Sequence, residues 1–324
     1  MQTVSPQNPD FRCGFVAIIG RPNVGKSTFL NRMIGERMAA VSPKAQTTRR
    51  RFRGIKTEDS YQMIFVDTPG VHRAPQGKML NEYCVSEALD AIEDTDAFVY
   101  IVDGSRELKL DDPESDEVFL ISQLQRVLKK RAVPLFLVLN KMDLWEKGKN
   151  KFSEQKGFED LISRLPVKAV YPLSARTGDG VDPLVAELIQ TLPTGPAFFP
   201  LDELTDQSMR QVAGELIQEQ LFHFLGDEIP YSCAVEIVSY KDPTEGKRLT
   251  EIEANIHVER ESQKSMVIGK GGAKIKEIGQ SARESIERLM NEKIVLRLQV
   301  KHSPKWTKDL EQLKRLGYTV PERR

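Results

Sequence analysis

The chain has 324 residues, 40% of them hydrophobic, and its 47 basic and 47 acidic side chains give a net charge of zero. This composition indicates a globular protein with a buried core, and the length favours two domains. It argues against a membrane-spanning protein, because no apolar run approaches the roughly 18 residues of a span, and any contact with nucleic acid or a membrane must come from a local patch.

Short apolar runs alternate with polar, helix-favouring stretches in the first part of the chain. We predict a buried strand at residues 15–19, further strands at 64–66, 97–102, 134–139 and 169–172, and helices that begin near residue 27 and cover 115–130 and 154–165. Continuous apolar strands separated by helices are typical of an α/β fold, a mostly parallel sheet with helices on both faces. Functional residues of such a sheet lie at the carboxyl ends of its strands.

The pattern changes at residues 192–200, LPTGPAFFP, which indicate a linker because proline cannot continue a helix. Beyond this segment we predict a helix over 206–225, strands over 232–240 and 251–258, two helices flanking 269–272, and a strand over 294–300. We therefore divide the chain into a first domain, residues 1–192, a linker, residues 193–204, and an α+β domain, residues 205–324.

The N-terminal residues and the cysteines bear on the cellular compartment. The first residues carry neither the apolar core of a signal peptide nor an Arg-rich transit pattern, so we expect a cytoplasmic protein. The cysteines Cys13, Cys84 and Cys233 lie too far apart in sequence for a disulfide framework or a zinc site, and we expect buried, reduced thiols. The histidines are also scattered and indicate no metal-ligand cluster.

The loop after the first strand fits the phosphate-binding pattern G-x-x-x-x-G-K-[ST]. In this pattern, backbone N–H groups of the loop and of the following helix N-terminus bind phosphate oxygens. Lys26 would reach the β- and γ-phosphates, and the Ser27 hydroxyl would bind Mg²⁺. The predicted phosphate-binding residues are Gly20, Arg21, Pro22, Asn23, Val24, Gly25, Lys26, Ser27 and Thr28.

A second nucleotide-binding motif, DTPG, follows the second predicted strand. The Asp67 carboxylate would bind Mg²⁺ through water, and the Gly70 N–H would contact the γ-phosphate. The residues added to the predicted nucleotide site are Asp67, Thr68, Pro69, Gly70 and Val71.

Two further motifs predict that the bound base is guanine. The fourth strand ends in NKMD, that is Asn140, Lys141, Met142 and Asp143, and the fifth is followed by Ser174 and Ala175. The Asp143 carboxylate would accept hydrogen bonds from the N1–H and the 2-amino group of guanine; adenine lacks both donors and would leave the carboxylate unpaired. The Ala175 N–H would donate to guanine O6. The four motifs in this order predict a site for GTP or GDP.

Residues 42–51, between the first helix and Asp67, are the expected switch, a loop whose order depends on the γ-phosphate. Either Thr47 or Thr48 would bring a hydroxyl to Mg²⁺ when GTP is bound, and we take Thr48, with Ser27 and Asp67, as the metal-binding set. The arginine run that follows is either solvated surface or a contact for a partner or RNA; it consists of Arg49, Arg50, Arg51 and Arg53.

Val71 limits the expected rate of hydrolysis. It stands directly after DTPG, where Ras-like proteins carry a water-positioning Gln, and an apolar side chain cannot orient the attacking water. We therefore expect slow intrinsic hydrolysis of GTP to GDP and phosphate, with Lys26, Thr48 and Gly70 as the catalytic groups. Asn23 would help to hold a K⁺ ion in the phosphate loop, a hypothesis that equal GTPase rates in Na⁺ and K⁺ would contradict.

A Gly-x-x-Gly loop in the C-terminal domain predicts an RNA-binding site. Such a loop between two helices lets a nucleic-acid backbone approach closely, and in KH domains it clamps four nucleotides. The residues from Glu261 to Lys301 include nine Lys or Arg and five Asp or Glu, a local excess of positive charge suited to phosphate. The predicted RNA-binding residues are Gly269, Lys270, Gly271, Gly272, Lys274 and Lys276.

Other residues of this domain are assigned to its core. The second helix of the pair places apolar residues on one face at a 3.6-residue period, namely Ile275, Ile278, Ala282, Ile286 and Leu289. Trp306 and Tyr318 either stack on bases or pack against the domain.

These motifs resemble those of the bacterial Era family, GTPases with a C-terminal KH domain. The resemblance extends from about Cys13 to Tyr318 and includes KAQTTR at 44–49, FLGDEIPYS at 224–232 and MVIGKGGAKIKEIG at 266–279. It implies a P-loop GTPase domain followed by a type II KH domain. It also implies a factor for assembly of the small (30S) ribosomal subunit that binds the 3′ end of 16S rRNA, contacts the cytoplasmic membrane peripherally and is linked to cell-cycle progression. We expect a monomer.

Two other interpretations stay open from the sequence. The chain could be an RNA-binding module in which GTP only maintains the fold, or a GTPase that signals at the membrane and binds a protein through its KH domain. The basic patch and the glycine loop favour RNA over the second of these.

Overall fold

The computed structural model describes residues 9–42, 44, 48–71, 79–90, 94–106, 108, 110–144, 156–226, 228–244 and 248–318. The chain divides into two compact units. As far as their residues are described, the first takes in Met1–Gly35, Thr48–Ala74 and Cys84–Asp206, and the second takes in Glu36–Thr47, Pro75–Tyr83 and Gln207–Arg324. The domain bounds given above, 1–192, 193–204 and 205–324, stay a prediction.

A six-stranded sheet forms the centre of the first unit. Its strands are β1 (Arg12–Ile19), β2 (Phe52–Glu58), β3 (Tyr61–Asp67), β4 (Ala97–Asp103), β5 (Leu135–Asn140) and β6 (Val167–Pro172). They lie in the order β2-β3-β1-β4-β5-β6, with β2 antiparallel to β3 and every other pair of neighbours parallel. Five of the six coincide with predicted strands, and the predicted α/β fold is confirmed.

Five helices alternate with these strands. They are α1 (Lys26–Ile34), α2 (Met79–Asp90), α3 (Asp116–Lys130), α4 (Lys156–Arg164) and α5 (Val181–Thr191). α3 illustrates how the sequence builds them: the Ser115 side chain caps its N-terminus by accepting a hydrogen bond from the Val118 N–H at 3.3 Å. Its apolar residues Leu120 and Leu124 are buried in the same core as β4 and β5, which accounts for the continuous apolar sequence of those strands.

β2 is the strand that the sequence-based prediction lacks. It lies at the edge of the sheet, paired with β3 alone. Phe52 and Ile55 are buried, whereas Glu58 is exposed and Lys56 partly so. An edge strand with charged residues and a preceding arginine run lacks the continuous apolar sequence that marks the central strands.

The second unit contains a three-stranded sheet with helices. Its elements are α6 (Met209–Phe224), β7 (Cys233–Lys241), β8 (Thr250–Val258), α7 (Glu261–Ile268), α8 (Ala273–Met290), β9 (Ile294–His302) and α9 (Leu310–Arg315). β8 is central, antiparallel to β7 and parallel to β9. This is the predicted α-β-β-α-α-β order. Ile278, Ala282 and Ile286 of α8 are buried, as the 3.6-residue pattern predicts.

The predicted linker is hydrogen-bonded to the first unit along its length. The Cys13 N–H donates to Pro193 O at 3.0 Å, and the Gly195 N–H donates to Phe11 O at 2.9 Å. At the other end of the segment, the Ile55 N–H donates to Leu204 O at 2.8 Å. The segment therefore extends the β1 and β2 region of that unit.

Several side chains predicted to be buried are buried. The three cysteines are free thiols inside the protein, and burial raises the pKa of Cys84 to about 12. The Trp306 ring is fully buried, lies 6.0 Å from the Tyr318 ring between centroids, and donates Nε1–H to Ser232 O at 2.9 Å. Trp306 and Tyr318 therefore pack within the second unit. None of the described helices is long and apolar enough to cross a membrane.

Candidate nucleotide and nucleic-acid sites

The predicted phosphate loop joins β1 to α1 at the carboxyl edge of the sheet. Gly20 to Gly25 form the loop, and Lys26, Ser27 and Thr28 open the helix. The Lys26 side chain is buried, and its Nζ donates to the carbonyls of Gly20 at 3.1 Å and Arg21 at 2.9 Å. Burial lowers the pKa of Lys26 to about 8, against the opposing effect of Asp67. The ammonium group is thus held inside the loop, where it would meet a phosphate.

Three oxygen ligands of the type that Mg²⁺ prefers meet beside this loop. The Ser27 hydroxyl donates to Asp67 Oδ2 at 2.6 Å and lies 2.8 Å from the Thr48 hydroxyl. Asp67 Oδ1 is buried and makes no hydrogen bond to any residue that the structure describes. Burial raises the pKa of Asp67 to about 6. A buried carboxylate oxygen without a donor fits a cation. Thr48 occupies the predicted position, and Thr47 lies outside the described residues.

The DTPG motif begins at the last residue of β3 and passes directly over the phosphate loop. A Cβ atom on Gly70 would lie 2.6 Å from Pro22 N, so only glycine allows this approach. The Thr68 hydroxyl is buried and donates to Ile18 O at 2.8 Å, which gives this side chain a role within the sheet. The Val71 side chain is fully buried in the core of the unit, and therefore cannot orient a water molecule.

The base-recognition motifs lie close together at the ends of β5 and β6. The buried Asn140 side chain donates from Nδ2 to Val24 O at 2.7 Å and accepts from the Ala175 N–H at 2.8 Å. It therefore links the phosphate loop to the predicted O6-binding residue. The Ala175 N–H has a partner in this structure, so guanine O6 would have to share or replace Asn140 Oδ1.

Both oxygens of the Asp143 carboxylate have partners. Oδ1 accepts from the Ser174 hydroxyl at 2.6 Å, and Oδ2 lies 2.5 Å from Arg176 Nη2. The serine orients the carboxylate, and the largely exposed Arg176 covers its outer side. Met142 and Asp143 lie in a single 3₁₀ turn after Asn140 and Lys141.

Lys141 and a residue absent from the prediction, Asp103, form an ion pair beside the phosphate loop. Lys141 Nζ lies 2.7 Å from Asp103 Oδ2 and 2.8 Å from Asn23 O. Asp103 ends β4. The position of an acidic residue at the carboxyl end of a predicted parallel strand was a usable signal for it.

Glu117 on α3 also contacts the phosphate loop and is absent from the prediction. It accepts a hydrogen bond from the Tyr100 hydroxyl, and its Oε2 lies 3.7 Å from Arg21 Nη1. Burial raises the pKa of Glu117. The residue lies inside an amphipathic helix, where nothing in the sequence distinguishes it from a solvated glutamate.

The arginine run after Thr48 does not share one environment. Arg49 is buried, Arg51 is exposed, and Arg53 Nη1 lies 2.9 Å from Asp206 Oδ2. The solvated-surface interpretation is therefore wrong for Arg49, because its side chain is enclosed by the protein.

The predicted RNA-binding loop joins α7 to α8. Gly269, Gly271 and Gly272 have φ angles of +73°, +60° and +80°, which side chains rarely adopt. Lys270 and Gly271 are exposed, as is Lys276 in the first turns of α8. Lys274 Nζ lies 3.0 Å from Glu277 Oε2, so part of its charge is offset locally. The loop offers an exposed, positively charged glycine turn.

Comparison with known proteins gives two family matches within the chain. A family described as 50S ribosome-binding GTPase matches residues 15–141, and the KH domain family matches residues 228–307. The first match covers the phosphate loop and extends to Lys141, and the second covers the glycine loop.

Relatives are similar to this chain over almost the whole length of both sequences. The chain is similar to GTPase Era of Geobacter metallireducens, with 46% identity over 312 residues, 96% of this chain and 99% of the relative. It is also similar to GTPase Era of Ruminiclostridium cellulolyticum, with 41% identity over 309 residues, 95% of this chain and 98% of the relative.

Two solved structures match over almost the whole chain. One is a tyrosine-to-alanine variant of Aquifex aeolicus Era bound to GDP and AlF₄⁻, with a TM-score of 0.86 at 33% identity, covering 96% of this chain and 100% of that one. The other is Era in complex with MgGDPNP and nucleotides 1506–1542 of 16S ribosomal RNA, with a TM-score of 0.85 at 32% identity and the same coverage.

Proposed function

Because the chain belongs to the Era family of GTPases, we propose that it is a nucleotide-controlled switch that binds the 3′ end of 16S rRNA and acts in assembly of the small ribosomal subunit. The chain is a GTPase with a P-loop domain and a KH domain. The observation that carries the proposal is the combination, on one chain, of a converging nucleotide site and an exposed Gly-x-x-Gly loop. The related Era structure that holds both MgGDPNP and 16S rRNA supports it.

The nucleotide site is proposed as follows. The loop from Gly20 to Gly25, with Lys26, binds the phosphates, and Asp143 and Ala175 read guanine. Ser27, Thr48 and Asp67 hold Mg²⁺, which offsets negative charge on the phosphates. A K⁺ ion near Asn23 remains a hypothesis, tested by comparing GTPase rates in K⁺ and Na⁺.

Hydrolysis is proposed to be slow unless a partner stimulates it. Lys26 and the Gly70 N–H stabilise charge that develops on the transferred phosphoryl group. The buried Val71 leaves the attacking water without a side-chain partner at this position. GTP therefore acts as a timer, and its hydrolysis releases the protein from its RNA.

RNA binding is proposed to occur at the loop between α7 and α8. The glycines let the RNA backbone approach, and Lys270, Lys274 and Lys276 supply positive charge. Contact with the cytoplasmic membrane and a link to cell-cycle progression belong to the same family-based proposal. Sedimentation with anionic vesicles would test the membrane contact. If the protein did not sediment with the vesicles, only the membrane part of the proposal would be wrong.

The central test measures binding of a labelled single-stranded RNA with the 3′ sequence of 16S rRNA. We expect binding to differ by about fivefold or more between GDP and a non-hydrolysable GTP analogue at fixed salt. Gly271→Asp places a negative charge at the clamp and should abolish binding in both states. Equal affinity with both nucleotides would contradict the switch, and no binding in either state would favour a protein-binding KH domain.

A matched control separates a local effect from added charge. Asn291→Asp introduces the same charge at the other end of α8, where Asn291 has a φ of +53° that Asp also tolerates. That end lies about 27 Å from the loop, because an 18-residue helix rises about 1.5 Å per residue. This variant should bind RNA normally.

Sedimentation with both ribosomal subunits would show whether the small one is preferred.

A further inference from the structure

Arg32 connects the phosphate-binding helix to the base-recognition loop. It lies in the last turn of α1, the helix that Lys26 opens. Its Nε donates to Ala175 O at 3.3 Å, and its Nη2 donates to Arg176 O. Arg32 is separated from both acceptor residues by more than 140 positions in sequence, and no motif marks it.

The Arg32 guanidinium also lies near Gly178 of the loop. A Cβ atom on Gly178, whose φ is +95°, would lie 3.7 Å from Arg32 Cζ. Other hydrogen bonds hold the loop to itself and to Asp143: the Thr177 N–H donates to Ser174 Oγ at 3.1 Å, the Gly178 N–H donates to Ser174 O at 2.8 Å, and the Ser174 hydroxyl donates to Asp143 Oδ1 at 2.6 Å. Among the described residues, Arg32 and Asn140 are thus the side chains from outside the loop that hold Ala175.

We propose that Arg32 is a positioning residue that sets the direction of the Ala175 N–H and thereby the reading of guanine O6. Fixing two successive carbonyls holds the two peptide planes that follow Ala175. The plane that carries the Ala175 N–H is joined to them at the Ala175 Cα and is held from its other side by Asn140 Oδ1. The inference rests on the proposed roles of Ala175 and Asp143 in base recognition. A guanidinium suits this task because its planar fork donates to two acceptors at once.

The test compares three nucleotides that differ at single base positions. In 6-thio-GDP a sulfur, a weaker acceptor, replaces O6; IDP lacks only the 2-amino group that Asp143 would bind. Dissociation constants are measured for the unaltered full chain and for Arg32→Met. We expect the preference for GDP over 6-thio-GDP, about tenfold for one hydrogen bond, to fall towards one in the variant. The preference for GDP over IDP should stay within about twofold.

Two further variants distinguish positioning from general stability. Arg12→Met removes an arginine of the same unit whose Nη1 also donates to two distant carbonyls, those of Gln190 at 3.2 Å and Leu192 at 2.7 Å. It should lower the melting temperature without changing either nucleotide preference. Arg32→Lys keeps the charge and a single-point donor, should fold if Arg32→Met does not, and should show an intermediate preference for GDP over 6-thio-GDP.

The possible results lead to different conclusions. The positioning role would be overturned if Arg32→Met lost both nucleotide preferences equally, or if it kept the full preference for GDP over 6-thio-GDP. It would also be overturned if Arg12→Met lost the preference for GDP over 6-thio-GDP while keeping that for GDP over IDP. Equal binding of GDP and 6-thio-GDP by the unaltered protein would overturn it as well. If the unaltered protein bound IDP and GDP with equal affinity, the proposed role of Asp143 in base recognition would be wrong.

Discussion

Asp103 shows how one carboxylate can support two parts of the nucleotide site. It pairs with Lys141, whose ammonium group also donates to the Asn23 carbonyl in the phosphate loop. Burial would raise the pKa of Asp103, but hydrogen bonds from Lys141 and Ser105 outweigh it, and the pKa lies below its ordinary value. The carboxylate is therefore charged at neutral pH and holds the lysine over the loop.

Replacing Asp103 should weaken nucleotide binding without unfolding the protein. In Asp103→Asn the ion pair with Lys141 becomes a hydrogen bond from the ammonium group to a neutral amide oxygen, and we expect about a fivefold weaker affinity for GDP. Asp96→Asn is the control, because Asp96 Oδ2 accepts a hydrogen bond from the Phe15 N–H at 2.8 Å at the opposite end of β4. Titration with a fluorescent GDP analogue measures both. An equal loss in the two variants would contradict a specific role for Asp103.

At this scale, the sequence predicts residues that belong to contiguous motifs. Lys26, Ser27 and Asp67 meet where the strand-end rule places them, since each is adjacent to a buried strand or its loop. Arg32 and Glu117 are different. In sequence they resemble solvent-exposed charged residues of amphipathic helices. Their contacts depend on where the helices pack, and no local sequence pattern encodes that packing.

Within the turn between α7 and α8, two glycines have separable functions. Gly269 has a φ of +73° and a ψ of +173°, and a Cβ there would lie 2.9 Å from Lys274 N. Gly271 has a φ of +60° and open space where its Cβ would be. The first glycine is required by the fold of the turn, and the second leaves room for a ligand.

Alanine at these two positions should therefore give opposite results. Gly271→Ala should lower the unfolding free energy by only about 1 kcal/mol, the usual cost of a left-handed alanine, yet weaken RNA binding about tenfold because the methyl group fills the approach. Gly269→Ala should lower the unfolding free energy by about 2–4 kcal/mol, since both strain and a backbone clash result. Urea unfolding and RNA titration of each variant measure this. Unchanged RNA affinity in Gly271→Ala would show that RNA does not bind at this loop.

Elements with a strong period are the ones that sequence predicts well. The strand β5 is buried throughout, and α8 buries Ile278, Ala282 and Ile286, because burial on both faces or on one helical stripe leaves a clear signal. Ile275 and Leu289, at the two ends of the predicted stripe, are only partly buried. The prediction lacks β2 because an edge strand does not require the continuous apolar sequence that marks the central strands. The grouping of Glu36–Thr47 with the second unit is not predictable, because it depends on contacts with residues far along the chain.

Across the whole molecule, the path of the switch segment suggests how nucleotide and RNA would influence each other. Glu36–Thr47 follows α1 and precedes Thr48, yet it belongs to the second unit. Within that unit, the buried Glu219 carboxylate of α6 accepts from Arg37 Nη2 at 2.6 Å and from the Val41 N–H at 2.9 Å. The chain segment that precedes Thr48 is thus held at Arg37 and Val41 by a side chain of the second unit.

Removing this anchor should reduce the coupling between GTP and RNA. By linkage, RNA must change the affinity for a GTP analogue by the same factor as the analogue changes the affinity for RNA, and we expect about fivefold or more. In Glu219→Gln the anchoring hydrogen bonds lose the negative charge of their acceptor, so both factors should fall together towards one while GDP affinity without RNA stays unchanged. The control is Glu253→Gln, which alters an exposed ion pair with Arg297 at 3.2 Å in the same unit. For each variant, four dissociation constants are measured: RNA with and without the GTP analogue, and the GTP analogue with and without RNA. Undiminished coupling in Glu219→Gln would show that the coupling does not depend on this anchor.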